Sequence, residues 1–223
     1  MPTTTEELVA LTRQTLDDVI EPYLVSEEQI LLALDRAQRE FVDRTLCLQV
    51  SQPVALTADD PLSYLDAEVL KVRALTLNGR PITPVTMREM NRGAVVYDYG
   101  LRIQQDWRST TGTPTHAVTD AQDGALRWYP IPEADGTALM DAYIYPLRMR
   151  EGEEPMIPQR WRADLVAGAV MHIYRQRDNE VFDPRGAEAW MVTWQRALAE
   201  AYAGTQRDQR QVPLGQFNRN GVW

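Results

Sequence analysis

The chain reads as an α+β protein, with helical pairs at both ends packed together around an inserted small antiparallel β meander and an extended C-terminal tail. Three observations lead there. Residues 1–48 and 157–203 carry capped apolar stripes at helical spacing. Residues 49–156 replace them with short β-type runs punctuated by Gly and Pro. Residues 204–223 lose all periodicity. Residues 1–203 are therefore expected to form one domain, with 49–156 as its β-rich insertion and 204–223 as the tail.

The first helix opens on a capping box, Thr4-Thr5-Glu6-Glu7, ahead of Leu8, Leu11, Thr15 and Val19, and Glu21-Pro22 breaks it. Ser26-Glu27-Glu28-Gln29 repeats the cap. Ile30, Leu34, Ala37 and Phe41 mark the buried face of a second helix running to about Leu48, with Arg36, Arg39, Asp43 and Arg44 pointing away.

Within the insertion, Val69 to Leu77, Asn78-Gly79 and Arg80-Pro81-Ile82 predict a type I′ hairpin, because Asn-Gly accepts φ > 0 at both central positions. Thr86 to Met90 predicts one or two capped helical turns. Ala125 to Tyr129 and Ala138 to Tyr145 predict strands joined through a turn at Asp135-Gly136. In the second strand Ala138, Met140, Ala142 and Ile144 alternate with Asp141, Tyr143 and Tyr145, so one face is core and the other partly wet. The expectation is a meander of four to six strands.

The last helical pair organises the chain. Pro158 suits a first helical position. Trp161, Leu165, Ala169, His172 and Ile173 recur at helical spacing, and Val166, Val170 and Tyr174 widen the stripe beyond what one neighbour can cover. That places this helix in the middle of the structure. Asp183 caps and Pro184 begins the next helix. Its facing stripe is Ala187, Trp190, Met191, Trp194, Leu198 and Ala201. Three tryptophans should meet near the seam.

Composition narrows the function. With 223 residues, 44% of them apolar and 25% charged, the chain is ordinary for a globular protein. No apolar run approaches the roughly 18 residues that a membrane span needs, and MPTTTEEL does not resemble a signal peptide, so no membrane is expected. One cysteine, Cys47, allows no internal disulfide and fits synthesis in a reducing host cytoplasm. A net charge of −9 argues against tight nonspecific binding to nucleic-acid phosphates.

Catalytic signatures are missing from the sequence: it has no Gly-rich phosphate loop, no dinucleotide fingerprint and no nucleophile elbow. His116 and His172 lie in different elements without metal-ligand spacing, and His172 falls on an apolar helical stripe as a core histidine would. Cys47 reads as a small core residue. Glu151-Gly152-Glu153-Glu154 and Asp178-Asn179-Glu180 lack the spacing of a calcium loop and read as solvated loop charges. No catalytic, cofactor or metal site is expected. The tail differs. Val212, Leu214, Phe217 and Trp223 are isolated apolar residues in a Gln-, Arg- and Asn-rich segment, which suits docking onto another protein.

A family resemblance enters between Trp107 and Trp161. Thr111-Gly112-Thr113-Pro114, then Leu126-Arg127-Trp128-Tyr129-Pro130-Ile131-Pro132, then Tyr143-Ile144-Tyr145-Pro146, then Ile157-Pro158 and Trp161 resemble the head-to-tail adaptors of tailed bacteriophages. These are the head-completion or gatekeeper proteins beneath the portal. One departure is His116, where that family would lead us to expect an aromatic. The resemblance implies a structural virion protein at the head–tail junction, not an enzyme and without cofactors. It would form a ring of twelve copies joining the portal protein to a tail tube or nozzle protein and extending the channel used in DNA packaging and ejection. DNA would pass without specific binding, and the tail would grip the portal. Two other readings stay open: a virion-associated hydrolase acting on the cell wall, and a small acidic protein-binding module.

Overall fold

The structure is a computed structural model that describes residues 4–93, 95–98, 101–104, 107–177 and 180–211. In chain order its helices are α1 (Thr5–Leu16), α2 (Glu27–Thr45), α3 (Met87–Gly93), α4 (Leu165–Tyr174) and α5 (Pro184–Gln211). Its strands are β1 (Gln49–Leu56), β2 (Leu62–Tyr64), β3 (Val69–Leu77), β4 (Arg80–Val85), β5 (Val95–Asp98), β6 (Leu101–Gln104), β7 (Thr111–Gly112), β8 (His116–Gln122), β9 (Ala125–Tyr129), β10 (Ile131–Pro132) and β11 (Gly136–Ile144). Short 3-10 turns at Trp107–Ser109 and Gln159–Asp164 complete it. The class is α+β with a mostly antiparallel sheet. The chain forms two compact units: Met1–Leu48 with Tyr145–Trp223, and Gln49–Ile144.

In the helical unit the caps act as the sequence predicts. Thr4 and Glu7 close the box at α1, and Ser26 and Gln29 close the one at α2, each satisfying two N–H groups that have no partner inside the helix. Ile30, Leu34, Ala37 and Phe41 are fully buried. Both helices stop earlier than expected, because Asp17 (φ 57°) and Leu46 (φ 52°) take the left-handed conformation. Val19, read as part of the α1 stripe, therefore lies beyond the helix and is exposed.

Helix α4 packs against α1, α2 and α5, and every residue from Leu165 to Met171 is buried. Gly168 is the contact point. A Cβ there would stand 2.9 Å from the Ala37 Cβ and 3.0 Å from Cε2 of Trp194. Phe41 lies between two indoles, with ring centroids 6.4 Å from Trp161 and 6.0 Å from Trp194. Trp161 is half-buried, whereas Trp194 keeps 1% of its surface.

Two expectations change at this end of the chain. Pro158 precedes a 3-10 turn, and the α-helix begins only at Leu165. The last helix does not end at Ala203, and residues 204–211 are not tail: α5 continues to Gln211. The reason is tertiary. Gly204 lets the Trp161 ring approach to 3.0 Å from where a Cβ would stand, Thr205 is buried, and Asp208 pairs with Arg160.

Residues 145–156, read as part of the insertion, belong to the helical unit. Two buried polar side chains of α2 hold them there. Asp35 accepts from the Met149 N–H at 3.0 Å. Gln38, with no exposed surface, accepts from the Met156 N–H at 3.1 Å and donates to the Leu147 carbonyl at 3.2 Å. Buried amides left unpaired would cost about 1–3 kcal/mol each, so these bonds set the path of the strap.

The second unit is not a simple meander. Among the described residues a seven-stranded sheet runs β1-β11-β3-β4-β8-β9-β2, and β4 pairs with β8 in parallel. Asn78 (φ 51°) and Gly79 (φ 76°) form the predicted β3–β4 hairpin. Strands β9 and β11 are not neighbours, so Asp135-Gly136 is not a hairpin turn between them. Asp135 instead accepts from the Ala58 N–H at 2.8 Å. Trp128 fills the core, and its indole N–H donates to Ser63 Oγ at 2.8 Å.

Packing at Gly168 makes two variants informative. Trp194→Ala should cost about 3–5 kcal/mol. Gly168→Ala should be destabilising too: overpacking costs about 1–3 kcal/mol, against roughly 1 kcal/mol gained in helix propensity. Neither a helix-borne methyl nor a buried indole can swing aside. Denaturant melts check both, and an unchanged midpoint for either would contradict this seam.

Candidate interaction surfaces

The chemistry-bearing side chains are dispersed. His116 begins β8, where its Nδ1 lies 2.9 Å from Thr115 Oγ1 and its ring 6.0 Å from that of Tyr129. His172 lies on α4, its Nε2 3.4 Å from Glu40 Oε2. That distance permits an ion pair when the imidazole is protonated, although neither this nitrogen nor the buried Trp194 indole N–H makes a regular hydrogen bond. His172, followed by the Trp194 N–H, nevertheless holds the Glu40 carboxyl below its usual value, against the opposing effect of burial. Burial pushes the Cys47 thiol up, which disfavours the reactive thiolate. Among the described residues, no three His, Cys, Asp or Glu side chains group as metal ligands would.

Two carboxylates of the first acidic run stand beside arginines. Glu154 sits 2.9 Å from the buried Arg162, whose Nε donates to the Ile157 carbonyl at 3.2 Å, while Glu153 stands 4.0 Å from Arg150. Asp178-Asn179 lies outside the described residues. Asp164 carries an unrelieved cost. Burial raises its carboxyl above the usual value, and Glu200 adds repulsion.

The exposed features are surfaces. In the helical unit the α1–α2 loop presents Val19, Ile20, Tyr23 and Leu24 to solvent. Between α2 and α5 runs a groove of about 450 Å³, with Leu198, Ala199 and Tyr202 along it and Glu40, Arg44 and Gln195 at its sides. In the sheet unit a wider cleft of about 830 Å³ opens where β3 diverges from β4 beyond Leu75 and Ile82. The tail residues Val212, Leu214, Phe217 and Trp223 lie outside the described residues. The loop surface was missed in sequence because Val19 fitted a helical period, and the groove because Ala199 and Tyr202 fall off the predicted stripe.

The first two segments quoted for the family resemblance meet in the sheet unit. Thr111–Gly112 pairs in parallel with Ile131–Pro132, Thr115 N–H donates to the Tyr129 carbonyl at 2.8 Å, and Trp107 meets Tyr129 edge-on at 5.9 Å. The model of the SU10 adaptor protein family matches residues 3–217. The chain belongs to that family, and it is a phage structural adaptor of the head-to-tail kind. Among curated proteins no match is found. No helix among the described residues is long and apolar enough to cross a membrane.

The partly buried Asp164 gives a pH prediction. Its folded pKa lies above the ordinary 3.8, so its charged form opposes folding at neutral pH. Asp164→Asn should therefore raise Tm at pH 7. The gain should fade as pH falls through the raised pKa toward 3.8, where the parent side chain also becomes neutral. Melts of both proteins across that range check the sign, and a gain that grows on acidification would contradict it.

Proposed function

We propose that this adaptor assembles in the virion as a ring of about twelve copies, as the resemblance implies, joining the portal protein to a tail tube or nozzle protein. The observation that carries this reading is the family match over residues 3–217. The ring would extend the channel through which DNA is packaged and ejected. A net charge of −9 suits a wall past which DNA must slide, because an acidic surface repels phosphates. Contacts between unlike surfaces close by rotation into rings, which is what a channel requires.

Attachment to the portal is assigned to the segment after α5, through Val212, Leu214, Phe217 and Trp223. These are the apolar residues of a polar stretch, and aromatic anchors of this type dominate protein joints. Truncation after Gln211 should leave the melting temperature unchanged and abolish co-sedimentation with purified portal oligomers. Phe217→Ala and Trp223→Ala should each weaken attachment by about 2 kcal/mol or more. Undiminished binding of the truncated chain would move the joint to the helical unit.

The channel reading also predicts no measurable affinity for duplex DNA at physiological salt. Retention that falls steeply as salt rises would count neutralised phosphates and contradict it.

A further inference from the structure

The α1–α2 loop is unusual for an exposed connection, because it is rigidly built yet apolar at its tip. Ile20 is 80% and Leu24 54% exposed, with Val19 and Tyr23 beside them. Underneath, Asp18 is buried and accepts from the Leu24 N–H at 2.9 Å, the Val25 N–H at 3.0 Å and Arg13 Nη1 at 3.2 Å. Arg13 also donates to the Val25 carbonyl at 2.9 Å, and its guanidinium lies 3.9 Å over the Tyr23 ring. The tip is thus shaped before any partner arrives, so little ordering entropy remains to be lost on docking.

Charge selects the partner. The loop and its flanks expose Asp17, Glu21, Glu27 and Glu28, and from Gln14 to Asp35 the sequence has no Lys or Arg. Two such loops facing each other would set acid against acid, which rules out a symmetric contact between them. The fitting surface is apolar and concave, with a cation at its border. The α2–α5 groove of the same unit has these properties. Tyr202 and Ala199 are exposed along it, and Arg44 stands at its side with no carboxylate within 4.0 Å among the described residues. Glu40, the acid of the groove, stands 3.4 Å from His172 and also feels the charge of Arg44.

We propose that the α1–α2 loop of one copy seats its Ile20–Leu24 tip in the α2–α5 groove of a second copy, with Asp17 and Glu21 drawn toward Arg44. This rests on the ring reading and names the joint within it. Because the two surfaces differ, each copy offers one loop and one groove, and the contact propagates from copy to copy.

The test uses the full chain in two variants that each add one cysteine, Ile20→Cys and Ala199→Cys, with different tags. Cys47 stays in place, and the parent chain controls for its reaction. The forms are mixed and treated with a short thiol cross-linker, both free at high concentration and bound to portal oligomers. The 20–199 product should exceed the 20–20 and 199–199 products at least tenfold. Ile20→Asp should melt like the parent, since Ile20 is exposed, and should lower self-association at least tenfold. Statistical proportions, dominant same-site products or no cross-link in either arm would each overturn the proposal. Copies bound per portal oligomer, counted by mass, report on the ring reading separately: a full ring without the 20–199 product rejects only the joint.

Discussion

The close approach at Gly168 is the constraint on which the helical unit depends. Where most helix contacts are separated by side chains, here α2 and the Trp194 indole of α5 come within about 3 Å of where the first side-chain atom of α4 would stand. That proximity buries Trp194, brings Phe41 between two indoles and leaves α4 almost without solvent contact. It also joins parts of the chain far apart in sequence, because α2 comes from the first residues and α4 and α5 from the last. Such closure needs an insertion that leaves and returns at one place. The sheet unit does this by making its first and last strands neighbours, with Gln49 opposite Tyr143 and Leu56 opposite Gly136.

What the sequence showed was what is decided locally. Both capping boxes, the Asn78-Gly79 hairpin and the Asp183-Pro184 helix start depend on a few adjacent residues, and each stands where the spacing placed it. The stripe Ile30, Leu34, Ala37 and Phe41 was equally legible, since burial of one face follows from period alone. Sheet order was not. Pairing β4 with β8 in parallel, and β1 with β11 across the whole insertion, is settled by long-range packing that no local pattern records.

The same division explains the ends of elements and the surfaces. Nothing in Gly204-Thr205 announces a helix; the Trp161 ring against Gly204, the burial of Thr205 and the Arg160–Asp208 pair show why α5 persists. Gln38 looked like one more polar residue on a helix. It is a fully buried amide that holds an extended strap through its two hydrogen bonds. Ile20 and Leu24 were legible as apolar residues in a loop, but their exposure depends on Asp18 and Arg13 folding the loop beneath them. Sequence therefore pointed to docking through the tail without showing which apolar residues of the helical unit reach solvent.

The central claim is that this chain sits at the head–tail junction as a ring, and imaging of purified virions tests it most directly. Particles carrying a chain-specific label should show density confined to a collar between portal and tail, in a number of copies matching a closed ring. Label on the tail fibres or capsid shell, or its absence from finished particles, would contradict the account.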